Sequence, residues 1–229
     1  SADSMQVYRY MDIGTAKIMP EEMDGVPHHL IDVLDPKEPF NVVLFKELAT
    51  KAMDDIYARG RIPVIVGGTG FYIQAVLYDI HFDENDDDKS YRTYLEQHTW
   101  RSEERFSRNE IGLGIPAEPL FRSKRLASAA AIHYNNRKRV IRALEFYKET
   151  GNPISEHNEK ESKRISPYNF EYFVLNDDRQ KLYDRIDRRI YIMLADGLLD
   201  EVRSLVDEGY SRDLVSMQGL GYKEMIDYI

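Results

Sequence analysis

Three short segments carry residue types that can do chemistry. Asp3-Ser4-Met5-Gln6 sets a carboxylate, a hydroxyl and an amide side by side. A carboxylate so placed can act as a general base. Ser4 and Gln6 can read the hydrogen-bonding edge of a base. The competing reading of the same residues is a polar turn or helix cap. Gly67-Gly68-Thr69-Gly70 follows an apolar run and opens a helical pattern. Backbone N–H groups at such a turn, together with the positive helix end, suit an anion. Thr69 adds a hydroxyl donor. The alternative is a tight turn that needs glycine geometry. The segment is not a dinucleotide fingerprint, because position 73, where a third glycine would fall, is Ile73. Arg185 and Arg189 stand one helical turn apart and share a side. Two guanidiniums there can grip a diphosphate, or else pair with Asp184 or Asp187.

Other chemistries are excluded or unsupported. The chain has no cysteine, so disulfides, thiolate metal sites and a cysteine nucleophile are out. That usage fits a reducing compartment. His28, His29 and His133 lack metal-ligand spacing and read as structural. The chain contains neither a G-x-S-x-G elbow nor a G-x-x-x-x-G-K-[ST] phosphate loop.

These segments need a scaffold. With 229 residues, 42% hydrophobic, 31% charged and 11% aromatic, the chain is neither disordered nor low-complexity. Its length suits one large domain, or one domain with an insertion. No apolar run approaches the roughly 20 residues of a bilayer span. A net charge of −9 argues against nonspecific nucleic-acid binding. The average hides an acid-free stretch from Pro119 to Leu144 holding Arg122, Lys124, Arg125, Arg137, Lys138, Arg139 and Arg142. Such a stretch is either a solvated face or a footprint for phosphates.

The expected elements follow from pattern. Asn41 caps a helix whose apolar positions are Val42, Phe45, Leu48, Ala49, Ala52 and Ile56, stopped by Arg59-Gly60. Ile62 to Val66 reads as a buried parallel strand and Phe71 to Leu77 as the next helix. This rhythm predicts an α/β fold with a parallel sheet flanked by helices. Residues 83–88 read as an acidic connection, 89–108 as helical and 109–120 as irregular. A helix over 136–149 ends at Gly151-Asn152-Pro153, Phe170 to Leu175 reads as a strand, and 178–208 as a long helical segment with a possible break at Gly197. The domain expectation is a core over 1–80 and 165–229, interrupted by a mainly helical insertion over 81–164.

Taken in order, several segments resemble the tRNA dimethylallyltransferase (isopentenyl-tRNA transferase) family. They are Asp3 to Tyr8, Met11 to Lys17, Pro27 to Asp32, Val66 to Gly70 with Tyr72, Arg139 to Glu145, Leu182 to Leu194 with Glu201-Val202, and Gln218 to Lys223. The resemblance covers roughly 1–80 and 129–229. It implies a P-loop-NTPase-like parallel sheet with a helical insertion that clasps RNA. It implies transfer of a dimethylallyl group from its diphosphate to the N6 amine of the adenosine after the anticodon. Asp3 would be the general base; Thr69, Arg189 and Arg185 would stabilise the leaving diphosphate, with Gly67, Gly68 and Gly70 around it and Mg2+ shielding its charge. Asp3, Ser4, Met5 and Gln6 would contact the target base. Lys138, Arg139, Val140, Ile141 and Arg142, and Gln218, Gly219, Leu220, Gly221, Tyr222 and Lys223, would hold the tRNA. Within this resemblance the expectation is a monomeric cytoplasmic enzyme with no membrane partner.

The family's phosphate loop lies just upstream of the Asp3 motif. The abrupt start at Ser1, and an end at Ile229 in the middle of a helical pattern, lead us to expect a longer natural chain. Two other functions share parts of the pattern. A small-molecule kinase would share the architecture but leaves Asp3 to Tyr8 and the basic stretch unused. A noncatalytic RNA-binding module would keep the clasp alone.

Overall fold

The computed structural model describes residues 1–82, 89–97 and 136–229. The chain divides into two compact units. One comprises Ser1–Ile80 with Ser166–Ile229, the other His81–Ile165.

In the first unit, helix α1 spans Val42–Ala58. Asn41 Oδ1 accepts the Leu44 N–H at 3.0 Å, which satisfies one of the orphan donors of the first turn. Phe45, Ala49 and Met53, one turn apart, form its buried stripe. Gly60 takes a positive φ of 67° and returns its N–H to Tyr57, closing the helix. Helix α2, Gly70–Leu77, is buried on nearly all sides through Tyr72, Ile73, Ala75, Val76 and Leu77. Tyr72 stacks on Phe45 with centroids 4.6 Å apart and rings 20° from parallel. Phe40 meets the edges of both rings. Each of these buried aromatics contributes roughly 1.5–3 kcal/mol of transfer free energy. Together they seat α2, and hence the loop that opens it.

The second unit contains α3 (Lys89–Gln97), α4 (Arg137–Thr150) and α5 (Ile154–Ser162). Asn136 caps α4 and Gly151, at φ 70°, ends it. Arg92 Nε and Nη2 each lie 2.7 Å from a Glu145 oxygen, a two-point ion pair that ties α3 to α4. Ile141 and Phe146 are the buried apolar positions of α4, and the Phe146 ring lies 5.1 Å from that of His157 on α5.

The helical segment over 178–208 belongs to the first unit and is divided at Gly197, the position read as a possible break. Helix α6 spans Arg179–Ala195 and α7 Leu198–Asp207, separated by Gly197 at φ 101°. Asp178 caps α6 through the Gln180 and Lys181 N–H groups. Leu198, Val202 and Leu205 bury one stripe of α7 in the core. Helix α8, Tyr222–Tyr228, closes the unit.

The expected parallel sheet is corrected here. Among the described residues there is no strand, and the one β-bridge is an isolated parallel bridge, Tyr8 to Leu34. Ile62–Val66 and Phe170–Leu175, both read as strands, are non-helical and belong to no ladder, although Val66 O accepts one backbone N–H, that of Ala2; Ile62 is 85% and Leu175 98% exposed. The physical reason lies in what a strand is. β-branched and aromatic residues favour a pleated, half-buried surface, but only a neighbouring ladder makes one. The described residues form a helical assembly joined by irregular loops.

Candidate active site

The Asp3 turn and the glycine loop are adjacent. The Ala2 N–H donates to Val66 O at 2.7 Å, and the Thr69 N–H donates to Ala2 O at 3.3 Å. Gly67 is packed so tightly on Ala2 that a Cβ there would sit 2.4 Å from the Ala2 carbonyl carbon. Glycine is therefore required by close approach of two backbones. The contact puts Asp3 one residue from the chain that touches the Gly67–Gly70 loop.

Asp3 Oδ1 accepts the N–H groups of Met5 at 2.8 Å and Gln6 at 3.3 Å. The turn-capping reading of this carboxylate is thus correct as geometry. It is also compatible with chemistry, because both bonds fall on Oδ1 and fix the rotamer. Oδ2 is the oxygen left to accept from an incoming group. Gln6 spends its amide locally. Its Nε2 donates to Thr15 O at 3.3 Å and Ala16 O at 3.2 Å, and its Oε1 accepts from the Ser1 hydroxyl at 3.1 Å. Ser4 is half-buried, and Met5 packs its methyl over Gly219.

The loop from Asp12 to Lys17 is held at both ends. Lys17 is buried, and its Nζ donates to Tyr8 O at 2.7 Å, Asp12 Oδ1 at 2.6 Å and Asp32 Oδ1 at 2.5 Å. All three ammonium protons are spent, which is the condition for burying a lysine charge. At the other end Glu201 of α7 takes the Asp12, Ile13 and Gly14 N–H groups and the Tyr222 hydroxyl. Burial, followed by the facing Glu201 carboxylate, raises the Tyr222 phenol far above its ordinary range.

The segment Gln218–Lys223 divides by exposure. Tyr222 is 1% exposed and belongs to the core, whereas Leu220 is 88% exposed and Lys223 is also exposed. Gly219 is buried against Met5, and a Cβ there would meet the Met5 methyl carbon at 2.5 Å. Gly221 has φ 92° and gives its N–H to Glu224. Gln218 reaches Arg212 O with its amide nitrogen.

Helix α6 presents Arg185 and Arg189 on its exposed surface. Arg185 pairs with Asp177 at 2.7 Å rather than with Asp184 or Asp187. Arg189 has no ion pair among the described residues. No hydrogen bond or ion pair joins either arginine to the Gly67–Gly70 loop. The Thr69 hydroxyl makes no capping bond to α2. In the second unit, Lys138 lies on α4 together with exposed Arg139, half-buried Val140 and Arg142, and buried Ile141. Arg122, Lys124, Arg125 and His133 lie outside the described residues, as do the acidic connection 83–88 and the irregular segment 109–120. Among the described residues no group of three or more His, Cys, Asp or Glu is placed to hold a metal ion. No helix of the described residues is long and apolar enough to cross a membrane.

Sequence reasoning missed Glu201 as the residue that holds the Asp12–Gly14 backbone. It recognised Glu201-Val202 only as part of a matching segment. The carboxylate meets residues that lie 187 to 189 positions away in sequence, so no local spacing could announce the contact.

A polar turn bearing a carboxylate is thus set against a glycine loop at a helix N-terminus. The sequence pattern of IPP transferases matches residues 6–229, and the chain belongs to the IPP transferase family. A tRNA dimethylallyltransferase of Lachnoclostridium phytofermentans is 54% identical over all 229 residues, which span 70% of that protein. The crystal structure of the full-length tRNA isopentenylpyrophosphate transferase of Bacillus halodurans aligns over 99% of this chain and 66% of its own, with a TM-score of 0.63 and 45% identity. A eukaryotic dimethylallyltransferase, captured in crystallographic snapshots acting on tRNA, aligns over 99% of this chain and 55% of its own, with a TM-score of 0.73 and 26% identity.

Proposed function

We propose that this chain transfers a dimethylallyl group from dimethylallyl diphosphate to the N6 amine of the adenosine following the anticodon in tRNA. The observation that carries the reading is the contact of the Asp3 turn with the Gly67–Gly70 loop through Ala2. It sets the Asp3 turn beside the glycine loop, which supports a carboxylate serving the acceptor next to a loop serving the donor's diphosphate.

The chemistry assigns each side a task. The allylic C–O bond breaks and its electron pair leaves with diphosphate. A bond forms between N6 and the allylic carbon, and the N6 proton passes to Asp3. The adenine amine is a poor nucleophile because its lone pair is delocalised into the ring. A carboxylate accepting one N–H bond localises that density as the new bond forms. Thr69, with the N–H groups of Gly67 and Gly68, would stabilise the developing negative charge, the Gly70 N–H being bonded to Gly68 O, and Arg189 and Arg185 would add guanidinium donors. The target base must leave the anticodon stack to reach Asp3, with Ser4, Met5 and Gln6 lining its seat. Gln218–Lys223 supplies backbone, Leu220 and Lys223 at a surface for the RNA. Lys138, Arg139 and Arg142 neutralise phosphates from the second unit. A Mg2+ ion would shield the diphosphate when bound.

The test is Asp3→Asn in the intact enzyme. The amide oxygen can still cap Met5 and Gln6, but the side chain cannot take a proton. Turnover with tRNA should fall by about 10²- to 10⁴-fold, with the KM for dimethylallyl diphosphate within about twofold of wild type. Retained turnover removes Asp3 as the base.

A further inference from the structure

One carboxylate outside the proposed catalytic set gathers four donors. Glu201 Oε2 accepts the Asp12 N–H at 2.9 Å and the Ile13 N–H at 2.8 Å. Its Oε1 accepts the Gly14 N–H at 3.2 Å and the Tyr222 hydroxyl at 2.5 Å. Glu201 makes no ion pair among the described residues, so its charge is balanced by successive backbone dipoles and a phenol. Such a nest holds a loop in one conformation.

Two routes lead from this carboxylate to the turn that bears Asp3. The first runs along the loop. Glu201 fixes Asp12–Gly14, and the next carbonyls, those of Thr15 and Ala16, receive the Gln6 amide. The Gln6 N–H in turn holds Asp3 Oδ1. The second runs through Tyr222. Its ring lies so close to Gly14 that a Cβ there would stand 2.5 Å from the ring edge. The segment that delivers Tyr222 also delivers Gly219, on which Met5 rests, and the Met5 N–H is the other donor to Asp3 Oδ1. Both backbone donors that orient the Asp3 carboxylate are thereby anchored, from two directions, on Glu201.

We infer that Glu201 is a positioning residue for transfer. It does not touch substrate. It sets the Met5–Gln6 backbone, and through it the aim of Asp3 Oδ2 at the acceptor. The inference rests on the reading of Asp3 as the base. It predicts a loss on the acceptor side with the donor side spared, since the Gly67–Gly70 loop is reached through Ala2 rather than through Glu201.

The experiment compares Glu201→Gln, Tyr222→Phe and Asp3→Asn with wild type in the intact enzyme, using dimethylallyl diphosphate and substrate tRNA. In Glu201→Gln an NH2 group replaces one oxygen and confronts donors it cannot accept from. Turnover per folded enzyme should fall by about 10- to 100-fold, the donor KM should stay within about twofold, and amide hydrogen exchange should quicken at Met5 and Gln6. Tyr222→Phe keeps the ring against Gly14 and removes one donor, so a smaller loss of the same kind is expected. Unchanged turnover and exchange in Glu201→Gln overturn the inference. So does a donor KM that rises as steeply as turnover falls, which is the signature of general loosening. If Glu201→Gln does not fold, wild-type turnover and exchange in Tyr222→Phe overturn it instead. An active Asp3→Asn enzyme removes the general-base reading alone. Glu201→Gln is still judged by exchange at Met5 and Gln6 and by the sparing of the donor KM.

Discussion

The Thr69 N–H donates to Ala2 O across the closest backbone approach in the candidate site, where Gly67 leaves no room for a side chain. The three nearest atoms that a Cβ at position 67 would meet are Ala2 backbone atoms, at 2.4 to 2.8 Å. A backbone cannot rotate away as a flexible side chain can. Gly67→Ala must therefore push Ala2, and Asp3 with it, off the loop. A loss of about 1–3 kcal/mol in folding stability is expected from the overpacking. Turnover should fall further than stability explains, because a displacement of about 1 Å at a reacting centre costs on the order of 10²-fold. Denaturant unfolding and turnover at saturating tRNA, measured on the same preparation, check both parts. Gly68→Ala is the control for overpacking, read in the unfolding measurement alone, since a Cβ there meets nothing within 4 Å.

The two arginines of α6 should not contribute equally. Arg185 is held by Asp177 at 2.7 Å, with the arginine side chain 69% exposed. To meet a diphosphate it must leave or share that carboxylate. Arg189 has no ion pair among the described residues and is exposed. Arg189→Gln should raise the donor KM and lower turnover together, with a combined loss of about 2–4 kcal/mol in transition-state stabilisation. Arg185→Gln should cost less. Steady-state kinetics with dimethylallyl diphosphate as the varied substrate decide the order. Equal losses would mean that Asp177 does not restrain Arg185.

How much of this was legible in the sequence depended on the range of the interaction. Asn41 was readable as a helix start because a cap bonds the third residue on, at Leu44. Gly151 and Gly197 were readable as interruptions because a positive φ suits glycine whatever surrounds it. Ile62–Val66 and Phe170–Leu175 were misread, since alternation and β-branching describe a surface and not the neighbour that completes it. The site was legible as separate segments. Its joinery was not: Gly67 on Ala2, Gly219 on Met5 and Glu201 on Gly14 are contacts of distant residues, in which one partner is a glycine or a backbone N–H with no side chain to advertise it.

Lys17 should be a structural keystone. Its Nζ is shared by Asp12, Asp32 and Tyr8 O, and its side chain is 2% exposed. Lys17→Met fills similar volume but leaves the Tyr8 carbonyl without its ammonium donor and two carboxylates close together. Breaking a fully buried pair costs about 3–5 kcal/mol. The two aspartate side chains are 44% and 52% exposed, so water recovers part of the loss. About 1–3 kcal/mol is the expected destabilisation. Adding Asp32→Asn to Lys17→Met should recover part of it by removing one unpaired charge. Urea unfolding of the single and double variants tests this, and a double variant less stable than Lys17→Met would contradict it.

Tyr222 gives the first unit an alkaline limit whose sign follows from its environment. Burial and the facing Glu201 carboxylate disfavour the phenolate, so the folded-state pKa lies above the unfolded value near 10. A group whose folded pKa is raised binds its proton more tightly in the native state. Its stabilising contribution is fully present below the unfolded pKa and declines as pH rises above it. Tyr222 therefore contributes no pH dependence near neutrality and a loss of stability above about pH 10. Tyr8, Tyr72, Tyr168 and Tyr210 are shifted in the same direction, so the wild-type curve alone cannot isolate Tyr222. The difference between wild type and Tyr222→Phe can. The variant should be less stable near neutrality, having lost the bond to Glu201, and the gap should narrow as pH rises from about 9.5 to 11. Unfolding free energies at several pH values across that window supply the measurement. A gap that stays constant would mean that Tyr222 does not remain protonated against Glu201.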